Sequence, residues 1–373
     1  MDGPVRVAAL ASLLALTLLA GCGSPTAPPE EGGKGASLKS VLAKLEGLDA
    51  PERRKKLIEL ARDEGGVVSV YGSTNYESSG PLLEHFEEKT GIKTKYYRAS
   101  SSDVLQRLLQ EWKAGRALTD TVMLNGTDMV VLDEKKLLEP LDTPVTKQIK
   151  PSVVYENWVG FYVNAFAASW NTKGISKAKA PGSWEEVLSD YPGQIAMEVG
   201  DWDWFATLVQ DYFMAEKGMT EDEAVGLFRK AARNAGSIVD GHTLMAEMLA
   251  AGEYDMGVSL YTVNTQQLQN DGAPVEWQPG VEPLVQRPNG LGVHRHAEHP
   301  ASALLYLEFM LTDGQKMLPE LERDPVNVNV KGGLPAHYKT IPVSVETMRD
   351  GRAKWESLYE KVIAEAGKKP VSE

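Results

Sequence analysis

Three histidines lie within six residues of one another, in the segment His-Arg-His-Ala-Glu-His that begins at His294. If this segment is extended, His294 and His296 share one face of a strand, and His299 follows three residues later. Zinc sites usually have four ligands in a tetrahedral arrangement, and close spacing alone is a weak indication of one. We weigh a zinc site against histidines at the protein surface, expect the latter, and predict no bound metal.

The sequence lacks the patterns that mark common catalytic sites. The segment 257–261, Gly-Val-Ser-Leu-Tyr, has no second glycine to form a nucleophile elbow. Neither His-Glu-x-x-His nor the Gly-x-x-x-x-Gly-Lys of a phosphate loop occurs. Without a catalytic constellation, we predict that the protein is not an enzyme and that it requires no cofactor.

The single cysteine, Cys22, follows an apolar run at 7–21. That run is shorter than the ~20 residues needed to cross a bilayer and is typical of the apolar part of an export signal. The four residues ending at Cys22, Leu-Ala-Gly-Cys, resemble a bacterial lipobox, which implies cleavage before the cysteine and lipidation of its thiol. Several acyl chains on one residue would hold a protein on a membrane. The alternative is an ordinary cleaved signal with a coincidental cysteine.

We therefore predict a lipoprotein signal peptide at 1–21 and a disordered tether at 22–36, which is rich in proline, glycine and glutamate. The protein would be exported and anchored by lipid at the cell surface or at the periplasmic face of a membrane. Its formal net charge of −13 argues against nucleic-acid binding, which needs a basic face. The remaining length suggests two domains.

Strand and helix patterns alternate along the first half of the folded region. We predict helices at 37–48 and 51–64, then strands at 67–71, 92–97 and 121–124, separated by helices at 82–90, 103–114 and 129–136. This alternation indicates a sheet with crossover connections, in which ligands bind at the carboxyl ends of the strands. The loops at 72–76 and 125–128 are therefore candidate binding loops, although their residues also favour ordinary turns.

The second half continues the alternation. Predicted strands cover 158–171, 195–199, 237–239, 255–261 and 291–294, and predicted helices cover 183–190, 200–217, 220–235, 242–252, 300–311 and 347–366. Ser183 and Thr220 are expected to cap their helices, and Pro300 is expected at the first position of an amphipathic helix. An extended segment is predicted at 324–331.

Several segments, taken in chain order, resemble one protein family. They are VVSVYGSTN from position 67, HFEEKTGIKTKYYRASSSDVLQRLLQE from 85, LLEPLD from 137, ASWNTKGI with APGSWEEVL near the middle, GHTLMAEMLAAGEYD from 241 and HPASALLYLEFMLTDGQ from 299. The resemblance covers 57–330. It is to the extracellular solute-binding proteins of ABC importers, in the branch that includes ferric-iron-binding proteins.

This resemblance implies an α/β fold of the type II periplasmic-binding-protein class, with two lobes that the chain crosses twice and that close on a ligand. The implied domains are N-terminal helices at 37–65, lobe one at 66–157 and again at 266–322, lobe two at 158–265, and a C-terminal extended and helical segment at 323–373. The resemblance also implies a monomer that delivers its ligand to the permease subunits of an ABC transporter.

The identity of the ligand is the open question. Ferric-binding relatives hold iron with an adjacent tyrosine pair after a strand of lobe two, but here Tyr261 is followed by Thr262. The one adjacent pair, Tyr96 and Tyr97, lies in a predicted strand with one ring on each face. We expect a small polar organic solute, with ferric iron held by a non-standard ligand set as the alternative. An alternative of another class is a ligand-sensing lipoprotein for a membrane receptor.

The helix predicted to open near Gly200 raises a further choice. The Asp201 side chain is expected to cap its first amides, which would weaken an anion site there and favour a positive group on the ligand. Trp202 and Trp204 are either stacking surfaces for an organic or cationic group, or one core residue and one wall of the cleft.

Residues at the end of a strand or the start of a helix, with hydroxyl, amide, aromatic or carboxylate chemistry, are the ones expected to bind the ligand. From lobe one they are Ser73, Thr74, Asn75, Tyr76, Asn125, Gly126 and Thr127; from lobe two they are Asp201, Trp202, Trp204, His242, Tyr261 and Asn264.

Overall fold

The computed structural model describes residues 37–141, 143–191 and 193–372. The predicted signal peptide, the lipidation site Cys22 and the tether lie outside the described residues. Within the ranges described, no helix is both long and apolar enough to span a membrane. One twelve-stranded sheet is surrounded by helices on this part of the chain, which confirms the predicted α/β class.

The strands are numbered in chain order. They are β1 Val67–Gly72, β2 Lys93–Arg98, β3 Thr121–Asn125, β4 Val159–Asn171, β5 Ile195–Glu198, β6 Ala235–Asp240, β7 Met256–Tyr261, β8 Val275–Glu276, β9 Leu284–Val293, β10 Asp324–Pro325, β11 Thr340–Pro342 and β12 Val371–Ser372.

The helices are numbered in the same way. They are α1 Leu38–Ala43, α2 Ala50–Asp63, α3 Tyr76–Thr90, α4 Ser101–Lys113, α5 Gly126–Glu134, α6 Trp202–Thr207, α7 Glu221–Asn234, α8 His242–Ala251, α9 Thr262–Asn270, α10 Pro300–Met310, α11 Asp313–Met317, α12 Val345–Met348 and α13 Arg352–Ala364. Short π-helical segments occupy Glu186–Asp190 and Leu208–Met214.

Two groups of parallel strands form the two ends of the sheet. Lobe one, defined here as β1–β3 with α1–α5, α10 and α11, has β1 paired in parallel with β2 and β3. Lobe two, defined as β5–β7 with α6–α9, has β5 paired in parallel with β6 and β7. Crossover helices connect the parallel strands, as parallel pairing requires. The lobe boundaries inferred from the family resemblance stay predictions.

The long strands β4 and β9 join the lobes. They pair antiparallel with each other, while β9 also pairs with β3 of lobe one and β4 with β7 of lobe two. The C-terminal segment then passes between the lobes once more, because β10 pairs with β4 and β11 pairs with β9 on the way to α12 and α13. This additional passage brings the last helices of the chain to the cleft.

Several helices start closer to the preceding strand than the sequence predicted. α3 begins at Tyr76 rather than at 82, because serine, glycine and proline in its first turns are weak helix formers and concealed the start. α5 begins at Gly126, so the expected loop at 125–128 is a strand end and a helix start. α9 follows Tyr261 directly, in a segment for which no helix was predicted.

Helix α10 was predicted to be amphipathic, and this was wrong. All of its residues are buried, because it lies between α2 on one side and the sheet on the other. Its one acidic residue, Glu308, is neutralised by Arg53 of α2, with Nη2 at 2.7 Å from Oε1. Pro300 occupies the first helical position as predicted, and the capping box of Thr220 is also confirmed.

The histidine cluster is only partly at the surface. His294 is buried next to the end of β9, and burial lowers its pKa to about 4, so the expectation of surface histidines was wrong for this residue. Its backbone forms an isolated antiparallel bridge with Leu138, which holds the segment against lobe one. His296 is exposed, and the ring of His299 contacts the carboxylate of Asp120 at 3.0 Å.

Candidate ligand site

A cavity of about 300 Å³ lies between the lobes, at the carboxyl ends of the parallel strands. Residues of both lobes, of β4 and β9, and of the C-terminal helix α13 form its walls. The charged residues among them are Arg98, Asp128, Glu198, Asp240, Arg287, Arg323, Arg352, Glu356 and Glu360.

Five helices of at least nine residues, α3, α4, α5, α8 and α9, begin at this cavity. The residues that precede their first turns all line it, and they are Asn75, Ser100, Asn125, Gly241 and Tyr261. Ser100 caps α4, since its hydroxyl accepts a hydrogen bond from Asp103 N at 3.2 Å. No side chain caps the other four helices. Helix starts carry partial positive charge on their free N–H groups, so the cavity offers hydrogen-bond donors to an anion.

Arg323 is a buried cation in the wall of this cavity, with only 5% of its surface exposed. Its guanidinium donates to Ser78 Oγ at 2.8 Å, Asn75 Oδ1 at 2.8 Å and Asn164 Oδ1 at 3.3 Å. It also lies 4.3 Å from the centre of the Tyr162 ring. All these partners are neutral. Among the described residues no salt bridge joins Arg323 to a carboxylate, and the adjacent Asp324 acts on it through its charge without a direct contact.

Arg287 of β9 is also buried, but its charge is paired with carboxylates. Its Nη1 lies 2.8 Å from Asp203 Oδ1, its Nη2 lies 3.4 Å from Asp201 Oδ1, and it contacts Tyr261 Oη. Burial is the largest influence on the two acids and raises the pKa of both, to about 6 for Asp201, while Arg287 acts in the opposite direction. The cation therefore balances acids that would otherwise be too costly to bury.

Glu198 and His242 complete the lobe-two side. Glu198 accepts hydrogen bonds from Gly200 N at 2.6 Å and from Gly241 N at 3.1 Å. Burial, and then the neighbouring Asp201, raise the pKa of Glu198 to about 8, so its carboxyl is protonated at neutral pH. Burial lowers the pKa of His242 to about 4, so its ring is neutral there. The Nε2 of His242 lies 3.1 Å from Asp201 Oδ2.

Glu198, Asp201 and His242 bring their ligating atoms within 4.8 Å of one another, and in the described ranges they are the one group of three that could share a metal ion. The His242 ring stacks on Tyr261 with 3.8 Å between ring centres. The Arg287 guanidinium binds both Asp201 and Tyr261. The positive charge of Arg287 therefore lies beside this group, where it would strongly repel a metal ion in a buried site.

The structure brings eight of the thirteen predicted ligand-binding residues to the cavity wall: Ser73, Asn75, Asn125, Thr127, Trp202, His242, Tyr261 and Asn264. Their role in binding stays a prediction. Three others do not line it: Thr74 bonds with Tyr162 Oη at 2.9 Å, Tyr76 is 59% exposed, and Gly126 lies under Pro288.

The remaining two, Asp201 and Trp204, are buried behind the wall. Asp201 was expected to cap α6 with its side chain, and this was wrong. Its carboxylate faces Arg287 and His242 instead, since a buried guanidinium needs a counter-charge. Trp204 lies in the core against Trp184, whereas Trp202 lines the cavity, so one tryptophan is core and the other is wall.

None of the nine charged residues that line the cavity was among the thirteen predicted binding residues, and they include Glu198, Arg287, Arg323 and Arg352. The sequence did contain an indication of Arg287, which is the one charged residue in the otherwise uncharged strand β9. Charged side chains are rarely buried without a partner, so this position could have been predicted to have one. The sequence contained no such indication for Arg323 and Arg352. Only the path of the C-terminal segment brings them to the cavity.

The sequence profile of a family described as bacterial extracellular solute-binding protein matches residues 72–317. A curated relative, a Fe(3+)-binding periplasmic protein of Serratia marcescens, is 24% identical to the chain over 206 residues. That match covers 54% of this chain and 58% of the relative, so it spans little more than half of the relative's length.

Solved structures share the fold. One is the periplasmic binding protein AfuA from Actinobacillus pleuropneumoniae with exogenous fructose-6-phosphate bound, at a TM-score of 0.68 and 21% identity, covering 81% of this chain and 99% of that one. Another is iron-bound HitA from Pseudomonas aeruginosa, at a TM-score of 0.63 and 18% identity, covering 79% of this chain and 99% of that one. These matches confirm the two-lobed architecture, and the family and both structures are of binding proteins.

Proposed function

Since the chain belongs to the family of bacterial extracellular solute-binding proteins, we propose that it captures a small organic anion between its lobes and delivers it to the permease of an ABC importer. The anionic group of the ligand binds near Arg323 and the uncapped helix starts. The polar remainder faces Glu198, His242 and Trp202. This keeps the expectation of a small polar organic solute, but it replaces the positive group expected near Asp201 with a negative one, because the carboxylate of Asp201 faces Arg287.

The observation that carries this proposal is the buried, unpaired charge of Arg323. A cation removed from water without a counter-charge costs several kcal/mol, even after relaxation. The three hydrogen bonds to neutral oxygens recover only part of that cost. An anionic ligand would supply the missing charge, and a guanidinium suits carboxylate and phosphate geometry. The bound fructose-6-phosphate of the Actinobacillus pleuropneumoniae structure supports this ligand class.

Ferric iron is the second candidate. The group of Glu198, Asp201 and His242 favours it, together with the iron-binding descriptions of two similar proteins. Against it, this group lacks a second tyrosine beside Tyr261, and Arg287 already supplies positive charge to Asp201. The organic anion is therefore preferred.

Titration calorimetry on the full-length protein in detergent distinguishes an organic anion from ferric iron as the ligand. We expect binding of fructose 6-phosphate or another small organic phosphate or carboxylate, and no binding of ferric citrate or of neutral sugars. Arg323→Gln should weaken anion binding at least tenfold, which is about 1.4 kcal/mol. The control Arg54→Gln removes an arginine that pairs with Asp313 far from the cavity and should change the affinity less than twofold. Tight ferric binding, or equal affinity for a neutral sugar, contradicts the proposal.

Export and lipid anchoring belong to the same proposal. The support is the apolar run that ends in Leu-Ala-Gly-Cys, with the single cysteine of the sequence at the position that lipidation needs. We also propose that the protein is a monomer, and the support for this is the family resemblance alone. Cys22→Ser should move the protein from the membrane fraction to the soluble fraction of the cell, because the thiol is the group that receives the lipid. A variant that stays with the membrane at the wild-type level would exclude the anchor.

A further inference from the structure

The C-terminal helix α13 is fixed to lobe two. Its aromatic residues Trp355 and Tyr359 lie against Phe205 of α6, with 5.8 Å and 5.3 Å between ring centres. The hydroxyl of Tyr359 donates to the carbonyl of Glu198 at 2.7 Å. The helix lies beyond residues 72–317, which the family profile matches, so nothing in that match assigns it a role.

The first residue of this helix, Arg352, reaches lobe one. Its Nη1 donates to the backbone carbonyl of Thr127 at 2.9 Å. Its Nε and Nη2 donate to the two carboxylate oxygens of Glu356, one turn further along, at 2.9 Å and 3.0 Å. The guanidinium lies 5.5 Å from the centre of the Trp202 ring. Arg352, Thr127, Glu356 and Trp202 all line the cavity.

We propose that Arg352 is a ligand-binding residue that also holds the two lobes together. A guanidinium has five N–H donors in a fixed plane, and Thr127 and Glu356 use three of them. The remaining two are available to an anionic ligand in the same cavity. The inference rests on the proposed function for the sign of the ligand charge, but the contact between lobes does not depend on it.

Glu356 and Thr127, the two partners of Arg352, have different effects on it. Glu356 holds the guanidinium plane in one orientation through a two-pronged contact, which lowers the entropy cost of using it. The Thr127 carbonyl belongs to lobe one, so Arg352 can bind it only while the lobes are together. Ligand release requires the contact between Arg352 and Thr127 to break. Replacing Arg352 should therefore raise the dissociation rate of the ligand more than it changes the association rate.

Arg349 provides a matched control. It lies three residues earlier and also reaches lobe one, with Nη2 at 3.4 Å from Asp133 Oδ2. Its side chain is 45% exposed, and it does not line the cavity. Arg349→Gln therefore removes a contact between the lobes with the same charge change but leaves the cavity intact.

Two measurements on the full-length protein in detergent test the proposal. The first is the dissociation rate of fructose 6-phosphate by stopped flow. We expect at least a tenfold increase in Arg352→Gln, a smaller increase in Arg352→Lys and less than a twofold change in Arg349→Gln. A rate within twofold of wild type in Arg352→Gln, or an equal increase in Arg349→Gln, overturns the role in ligand binding. Unchanged thermal unfolding midpoints show that the variants are folded.

The second measurement needs no ligand. Fluorophores on Glu88→Cys of lobe one and Glu253→Cys of lobe two, in a Cys22→Ser background, report the distance between lobes. Arg352→Gln should lower energy transfer in the ligand-free protein, and unchanged transfer overturns the contact between lobes. If the wild-type protein binds no organic anion, the proposed function fails and the ligand role of Arg352 fails with it. The energy-transfer result then still decides whether Arg352 holds the lobes together.

Discussion

Arg287 and Arg323 are both buried in the cavity wall, yet their surroundings differ in charge. Arg287 is bound by the carboxylates of Asp203 and Asp201, so its charge is balanced within the protein. Arg323 is bound by hydroxyl and amide oxygens only. We therefore assign Arg287 to the structure of lobe two, and the proposed role of Arg323 in binding an anionic ligand rests on this difference. Residue type and burial alone would not have separated the two.

The largest expected effect is on stability, from the loss of Arg287. Arg287→Met should lower the free energy of unfolding by roughly 3–5 kcal/mol, because it leaves two buried carboxylates without their cation. Urea unfolding followed by circular dichroism measures it. Adding Asp203→Asn should recover part of the loss, since one of the two charges is then removed. A single variant as stable as wild type would show that Arg287 is not the structural partner.

A smaller effect concerns pH on the lobe-two side. The pKa of Glu198 is raised to about 8 in the folded protein from 4.5, so the folded state keeps a proton that the unfolded state has lost. Stability from this group is complete below pH 4.5 and is lost as the pH rises toward 8. His242 has the opposite pH dependence, because its pKa is lowered to about 4 from 6.5. The stability that it contributes is complete above pH 6.5 and is lost as the pH falls toward 4.

The window between pH 6.5 and 8 therefore excludes the effect of His242 and contains that of Glu198. We expect the free energy of unfolding to fall there by at most about 1.4 kcal/mol per pH unit. Glu198→Gln should flatten this slope, even though it also weakens the protein by removing an acceptor of backbone hydrogen bonds. Urea unfolding at several pH values gives the slope directly. A slope that is the same in the variant would assign the proton to another group.

The smallest expected effect on stability comes from replacing Arg323. Arg323→Met should change the free energy of unfolding by no more than about 1 kcal/mol, because relief of a buried charge offsets the lost hydrogen bonds. The same urea unfolding experiment measures it. A loss as large as that of Arg287→Met would mean that Arg323 is structural, and the contrast between the two residues would disappear.

The sequence was informative where a local pattern sets a local structure. The alternation of strands and helices predicted the α/β class, and the ordered segments from VVSVYGSTN to HPASALLYLEFMLTDGQ identified the family. The capping box at Thr220 and the first-position proline Pro300 were predicted correctly. Because ligands collect at strand ends in such folds, most of the predicted site residues lie at one cavity.

Local pattern failed where a partner distant in the sequence decides the outcome. Asp201 had the right position and chemistry to cap α6, but Arg287, 86 residues away, attracts its carboxylate instead. The sequence of α10 resembled a surface helix because nothing local shows that α2 covers its outer side. His294 was expected at the surface for the same reason.

By itself the sequence determined the fold class, the order of most of its elements, the family and most of the polar strand ends that line the cavity. These depend on hydrophobic period, helix capping and turn chemistry, which act over a few residues. Only the tertiary structure decided the charge of the site. It brings Arg323 and Arg352 from the C-terminal segment to a cavity lined mostly by residues before 290. It leaves Arg323 without a salt bridge and pairs Asp201 and Asp203 with Arg287. Electrostatic interactions depend on distance in space and on burial, and neither can be read from distance along the chain.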